Sequence, residues 1–268
     1  MPDTFVELID LEEVDRDIYR AMFRREGRSH LYGGQVAAQA LKAAGLTVAP
    51  DRRPHSLHGY FLRIGDAARP TVFRVERDRD GRSFSARRVI ALQGGEVIFN
   101  MACSFHVRED GYSAQELGPW ELAPPDDLPE YAHGLVSVEM RTPEERPNGW
   151  AWATRFWARV TDALPDDELT HACALTYMSD ISTGLVAYAD HDRGPGSSID
   201  HTVYFHRPLR ADDWVLMDVV PHTVAHGRGV YMGAISDPTG VQAVTIVQEG
   251  LFRPINHDIP AGRNAAGG

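Results

Sequence analysis

The sequence predicts an α+β fold of two tandem units, each a central helix wrapped by an antiparallel β-sheet. Three observations carry this expectation. Two helix-forming stretches of small and apolar residues, Gln35 to about Ala44 and Leu169 to Ala189, lie far apart in the chain. Each is followed by four strand-like runs separated by turn-forming residues. Finally, Tyr60-Phe61-Leu62-Arg63 recurs as Tyr204-Phe205-His206-Arg207 at an offset of 144, and Arg108 matches Arg253 at 145. A fixed offset with the same order of elements marks a duplicated unit.

In chain order, FVELIDLEEVDRDIYRAMFRR predicts a short turn or helix and then a strand. HLYGGQVAAQALKAA follows, with Gly33-Gly34 leading into the first helix. HSLHGYFLR, TVFRVERD, SFSARRVIAL and EVIFNMACSFHV then read as a meander with turns at GDAARP, RDGR and QGG. The proline- and acid-rich GPWELAPPDDLPE reads as a linker. LVSVEMR and WAWATRFWARV read as strands. PDDE supplies acids to the start of the second helix, where the dipole favours them. SSIDHTVYFHR, WVLMDVVPH, GVYMGAIS and VQAVTIVQEGLFR complete the second unit. The expected division is an N-terminal unit over 1–112, a linker over 113–131, a C-terminal unit over 132–255 and a flexible tail over 256–268.

The second helical stretch, LTHACALTYMSDISTGLVAYA, is apolar or small on every face and is nearly free of charge. A helix of that kind is enclosed by its own domain. Its one carboxylate, Asp180, loses hydration there and must be hydrogen-bonded, paired or used. With His171, Thr170, Thr176, Ser179, Ser182 and Thr183 inside it, the stretch is too polar to span a membrane.

The 268 residues are 43% hydrophobic and 24% charged, with a formal net charge of -11. That balance fits a soluble globular protein, and argues against a nucleic-acid surface or an anionic membrane as partner. Cys103 and Cys173 are the only cysteines. Without a signal segment at the start they read as buried, reduced residues, which makes the cytoplasm the expected location.

GGQVAAQAL, YFLR, RDGRSFSARRVIALQGGEVIFNMACSF, SSIDHTVYFHRPLRADDW and VQEGLFR together resemble the double hot-dog acyl-CoA thioesterases of the thioesterase II type. The resemblance runs from about Glu7 to Arg253, with separated motifs in the family's order. It implies a double hot-dog fold and hydrolysis of fatty acyl-CoA to free fatty acid and CoA, with no metal, no cofactor and no covalent intermediate. It places the catalytic Asp at Asp180 of YMSD, the hydroxyl at Ser198 of SSIDH and the amide at Gln248 of VQEG. The family's threonine is serine here, which keeps the hydroxyl but loosens its positioning. Either offset carries Asp180 back to Val36 or Gln35, so the first unit lacks the carboxylate and one chain carries one site. Asp200 of IDH reads as solvated or capping. Hot-dog proteins bury sheet faces by assembling, which implies a homodimer or homotetramer.

Hydrolysis needs an activated water and a donor for the developing oxyanion. Asp180 is the candidate base, with Ser198 and Gln248 orienting it and the water. Backbone N–H groups near Gly33-Gly34, at a helix start, are the candidate oxyanion donors. Guanidinium groups suit the CoA phosphates, and Arg63, Arg87, Arg88, Arg207 and Arg253 are candidates for that contact.

Other patterns fail. GRGVYMG lacks dinucleotide-fingerprint spacing, DRDG lacks downstream calcium ligands, and no G-x-S-x-G elbow occurs. His222 and His226 lack a third zinc ligand. Cys103 with His55 or His58 ranks low as a nucleophile pair, because Cys103 lies in an apolar strand. Two alternatives remain open. A hot-dog enoyl-CoA hydratase wants a histidine facing Asp180, and none lies nearer in sequence than His171. A non-catalytic acyl-CoA-binding module would have no reason to keep all three polar residues.

Overall fold

The computed structural model describes residues 3–21, 30–116, 122–131, 133–143 and 153–255. The tail expected over 256–268 lies outside the described residues, as do parts of the linker and of the expected strand at WAWATRFWARV.

The chain opens with helix α1 (Phe5–Leu8) and a hairpin of β1 (Glu12–Asp15) and β2 (Ile18–Ala21). Helix α2 (Gly33–Gly45) follows, then the meander β3 (Arg52–Phe61), β4 (Thr71–Asp80), β5 (Phe84–Gln93) and β6 (Glu96–Val107). The second unit runs β7 (Val138–Arg141), β8 (Arg155–Val160), helix α3 (Glu168–Met178), β9 (Arg193–Ser198), β10 (Asp200–Phe205), β11 (Val215–Ala225), β12 (Arg228–Ser236) and β13 (Gln242–Pro254). The run SSIDHTVYFHR, read as one strand, is thus split between the end of β9 and β10.

All thirteen described strands share one antiparallel sheet, in the order β1-β2-β4-β5-β6-β3-β10-β13-β12-β11-β8-β7, with β9 on β13. The two units join where β3 pairs β10, Leu57 opposite Val203 and Tyr60 opposite Asp200. Alternation along the strands sets the inner face: in β10 His201 and Val203 are buried while their neighbours are not. Period-two side chains from each strand thereby close over the two helices.

Helices α2 and α3 lie side by side inside this sheet. Small residues on α2, among them Ala37, Ala40 and Ala44, are fully buried and let the helices approach closely. Both ends of α2 are packed tightly against the second unit. A Cβ on Gly45 would lie 2.4 Å from Leu169, and one on Gly34 would lie 2.5 Å from the carbonyl oxygen of Tyr177.

Every residue of α3 from Thr170 to Met178 is buried, as its all-round apolar pattern requires. Asp167 caps it, accepting from Leu169 N and Thr170 N at 3.4 and 3.0 Å. The helix is nevertheless shorter than the sequence suggests. It ends at Met178, and a separate 3-10 turn covers Gly184–Tyr188. The Ser-Asp-Ile-Ser-Thr-Gly run between them breaks it, because short polar side chains compete for backbone groups. The hydroxyl of Ser179 bonds Thr176 O at 2.8 Å, and Thr183 accepts from Leu185 N at 3.2 Å to start the 3-10 turn. Asp180 therefore sits on the turn after α3, not within a helix.

Among the described residues no helix is long and apolar enough to cross a membrane.

Candidate active site

The turn after α3 brings Asp180 against the start of α2. The backbone N–H of Gly34 donates to Asp180 Oδ2 at 2.8 Å. This N–H is one of the four that a helix start leaves without an internal acceptor, at the positive end of the helix dipole. Gly33 is held to the same tightness, since a Cβ there would lie 2.7 Å from Asp180 Oδ2. Tyr32 Oη adds a 2.9 Å bond to Tyr177 O and locks the two helix ends together.

The other carboxylate oxygen, Oδ1, accepts from Gln248 Nε2 at 3.0 Å. The same amide nitrogen contacts Ser198 Oγ. Gln248 reaches inward from β13, buried to 2% exposure, and Ser198 ends β9, which pairs alongside. The structure thus brings together Asp180, Ser198 and Gln248 from three elements. Burial pushes the carboxyl of Asp180 above the usual range; His201, the Gln248 amide, the Gly34 N–H and Ser198 pull it back. A carboxyl raised by desolvation yet held by donors accepts a proton nearer neutral pH than a surface Asp does.

Beside this cluster lies a cavity of about 250 Å³, walled by Leu31, Gly33, Val36, Phe61, Phe99 and Ser198. Its walls are largely apolar, with the polar cluster reaching it through Gly33 and Ser198. A site of this composition suits an apolar chain that ends in one reactive polar group.

The five candidate arginines fare differently. Arg63 lies at the cavity rim, its guanidinium 2.8 Å from Val97 O and 2.9 Å from Glu96. Arg87 is a correction: it is 1% exposed and its donors are spent inside the protein. They go to Thr47 Oγ1 and O at 2.8 and 3.0 Å, Ala86 O at 2.9 Å, Arg79 O at 3.0 Å and Asp80 at 2.7 Å. Alternation on β5 turns it inward, so it cannot meet a substrate phosphate. Arg207 is directed to the linker, donating to Gln242 O at 2.6 Å, Ser113 Oγ at 2.9 Å and Ala114 O at 3.2 Å. Arg88 pairs with Asp78 and Glu76 on the sheet surface, and Arg253 lies against the β11–β12 turn at Gly227.

Sequence reasoning missed His201. It is fully buried, its Nε2 2.7 Å from Ser179 Oγ and its Nδ1 against Gln248 Oε1. Burial lowers its pKa, so the ring is neutral. The signal was available: alternation along IDHTVYF puts His201 on the same inward face as Val203, and a polar ring there needs partners. Asp200, on the outward face, accepts from Glu249 N at 2.8 Å, in keeping with the capping role expected of it. His171, the nearest histidine in sequence, instead accepts from Ala211 N at 3.2 Å.

The Cys103–His55 pair does not form. His55 Nε2 lies 2.8 Å from Ser104 Oγ, and burial pushes the Cys103 thiol far up. Burial likewise pushes the Cys173 thiol up to about 12.

Comparison with known proteins gives this arrangement a family. Residues 24–106 match the acyl-CoA thioesterase N-terminal domain, and residues 113–252 match the acyl-CoA thioesterase C-terminal domain. Acyl-CoA thioesterase 2 of Haemophilus influenzae is 34% identical over 94% of this chain and 97% of its own. Human acyl-coenzyme A thioesterase 8 is 30% identical over 92% of this chain and 88% of its own. Among solved structures, acyl-CoA thioesterase II TesB2 of Mycobacterium marinum is 41% identical, with a TM-score of 0.78 over 96% of this chain and 98% of that one. A hot-dog-fold protein from Alicyclobacillus acidocaldarius, at 20% identity and a TM-score of 0.72 over 94% of this chain and 98% of that one, shares the fold. The chain folds as a double hot-dog and belongs to the acyl-CoA thioesterase family of thioester hydrolases.

Proposed function

We propose that the protein hydrolyses fatty acyl-CoA to the free fatty acid and CoA, with Asp180 as general base and Ser198 and Gln248 as its assistants. The observation that carries this reading is the convergence of Asp180, Ser198, Gln248 and the Gly34 N–H in one cluster that reaches the wall of an apolar cavity through Ser198.

The acyl chain lies in the cavity against Leu31, Phe61 and Phe99, with the thioester carbonyl beside Ser198. Asp180 takes a proton from a water that Ser198 and Gln248 orient, and the hydroxide oxygen attacks the carbonyl carbon. The carbonyl oxygen gains the charge. Because the Gly34 N–H already serves Asp180, the Gly33 N–H at the start of α2 is the proposed oxyanion donor. Collapse of the intermediate breaks the carbon–sulfur bond, and the proton held on Asp180 returns to the CoA sulfur. Of the five candidate arginines, Arg63 alone lines the cavity, so the proposal assigns it to the CoA phosphates.

The hydratase alternative needs a histidine sharing the substrate cavity with Asp180. His201 is fully buried behind Gln248 with both ring nitrogens engaged, which favours hydrolysis. For assembly, exposed Tyr60 and Tyr204 on the outer sheet face support the expected homodimer or homotetramer.

The test is thiol release from acyl-CoAs of increasing length by wild type and Asp180→Asn. Turnover that collapses in the variant supports both reaction and base. Absence of turnover on every thioester would move the reading to a binding module.

A further inference from the structure

His201 and Gln248 form a buried polar pair at a place where the fold does not require one. Stepping back by the repeat offsets of 144 and 145 carries them to Leu57 and Cys103, which face each other across β3 and β6. The N-terminal unit fills the equivalent position with two apolar residues and keeps its sheet intact, so the polar pair answers to something other than folding.

An amide donates from nitrogen and accepts at oxygen, and an ionised carboxylate only accepts. For Gln248 to serve Asp180 and Ser198 with Nε2, its oxygen must face the other way, where it meets His201 Nδ1. That oxygen needs a donor, so the ring proton belongs on Nδ1. Nε2 is then left as an acceptor 2.7 Å from Ser179 Oγ, whose one proton it shares with Thr176 O. With the proton on Nε2 instead, two lone pairs would face each other, the amide would turn over, and its oxygen would face the carboxylate of Asp180.

We propose that His201 is a positioning residue for the hydrolysis, fixing the direction of the Gln248 amide through its Nδ1–H. The proposal rests on the assignment of Asp180 and Gln248 to catalysis. His201 touches no substrate; it acts through Gln248.

Two substitutions separate this role from a structural one. In His201→Asn the side-chain nitrogen falls where Nδ1 was and still donates to Gln248; in His201→Gln it falls nearer the place of Nε2. The expected result is kcat within about tenfold of wild type for Asn and a loss of roughly a hundredfold for Gln, with KM little changed in both. In a Gln248→Ala background the two should become equal. Nitrogen-15 spectra of wild-type imidazoles should place the His201 proton on Nδ1, a readout that needs neither variant to fold. Equal loss in the two variants that melt like wild type, or a proton on Nε2, overturns the proposal. Wild type that releases no thiol from any acyl-CoA would sink the proposed function instead, and the spectrum would still decide the orientation of the pair.

Discussion

Asp180 and Gly34 are 146 positions apart, yet the carboxylate of one sits 2.8 Å from the backbone N–H of the other. The carboxylate thus comes from the second unit and the helix start that holds it comes from the first. Neither unit alone makes this site. Duplication has given one chain two related halves, and the contact between their helices is where the candidate site is built.

That contact predicts the effect of a single methyl group. A Cβ on Gly34 would meet Tyr177 O at 2.5 Å, a backbone atom that cannot swing away. Gly34→Ala should force α2 off α3 and lengthen the Gly34–Asp180 bond. The expected cost is roughly 1–3 kcal/mol of stability, with activity falling further than stability does. Denaturant melts and kcat measured side by side check it. A variant with wild-type stability and turnover would show that the helix contact is slack.

The raised pKa of Asp180 has a stability consequence whose sign is fixed. Folded, the carboxyl holds its proton to a higher pH than it does unfolded, because burial penalises the charge. Between the two pKa values the native state binds more protons, so stability falls as pH rises through that window and the loss persists above it. Asp180→Asn removes this dependence. The variant should melt above wild type at pH 8 by about 2–4 °C, for a gain of roughly 1 kcal/mol, and the difference should shrink as pH falls below the native pKa. A variant that melts below wild type at pH 8 would show that the donors around Asp180 outweigh its burial. The same raised pKa puts the acid limb of kcat/KM above the usual carboxylate range.

Ser198 tests whether the hydroxyl or merely the space matters. Its Oγ meets Gln248 Nε2 at the cavity wall. Ser198→Ala should lower kcat roughly a hundredfold with KM nearly unchanged, since one oriented polar partner is lost. Ser198→Thr keeps the hydroxyl and restricts its rotamer, so it should retain turnover. Steady-state kinetics on one acyl-CoA decide between the outcomes.

Much of this was legible in the residues. The enclosed character of α3 followed from an apolar pattern with no polar face, and the duplicated architecture followed from repeated elements at a fixed offset. The end of α3 was not legible from apolarity alone. Local side-chain bonds from Ser179 and Thr183 win over helix continuation, and they place Asp180 on a turn. The offset measured on strands also failed to carry over to the helices. It sent Asp180 back to Gln35 or Val36 near the start of α2, whereas Asp180 follows the end of α3, in the position Thr47 holds relative to α2. His201 was not legible from its motif, in which Asp200 beside it is the more conspicuous polar group. The alternation of its strand, not its motif, shows that it faces inward.

Arg63 and Arg87 carry opposite expectations from the same residue type. Arg63 is half exposed at the cavity rim, so Arg63→Ala should raise KM for acyl-CoA several-fold by removing a phosphate partner, and leave the melting temperature nearly unchanged. Arg87 is buried and holds Thr47 O, Ala86 O and Arg79 O together. Its loss strands these carbonyls and opens a cavity, while Asp80, its ionic partner, is half exposed and regains water. Arg87→Met should therefore cost roughly 2–4 kcal/mol of stability, with kcat and KM of the folded fraction unchanged. Titration with CoA lacking the acyl group separates the two readings directly, since the rim contact belongs to the phosphates. Weakened CoA binding in Arg87→Met, at a temperature where the variant is folded, would return that arginine to the substrate. Unchanged binding in Arg63→Ala would remove the rim contact and leave the phosphates to other residues.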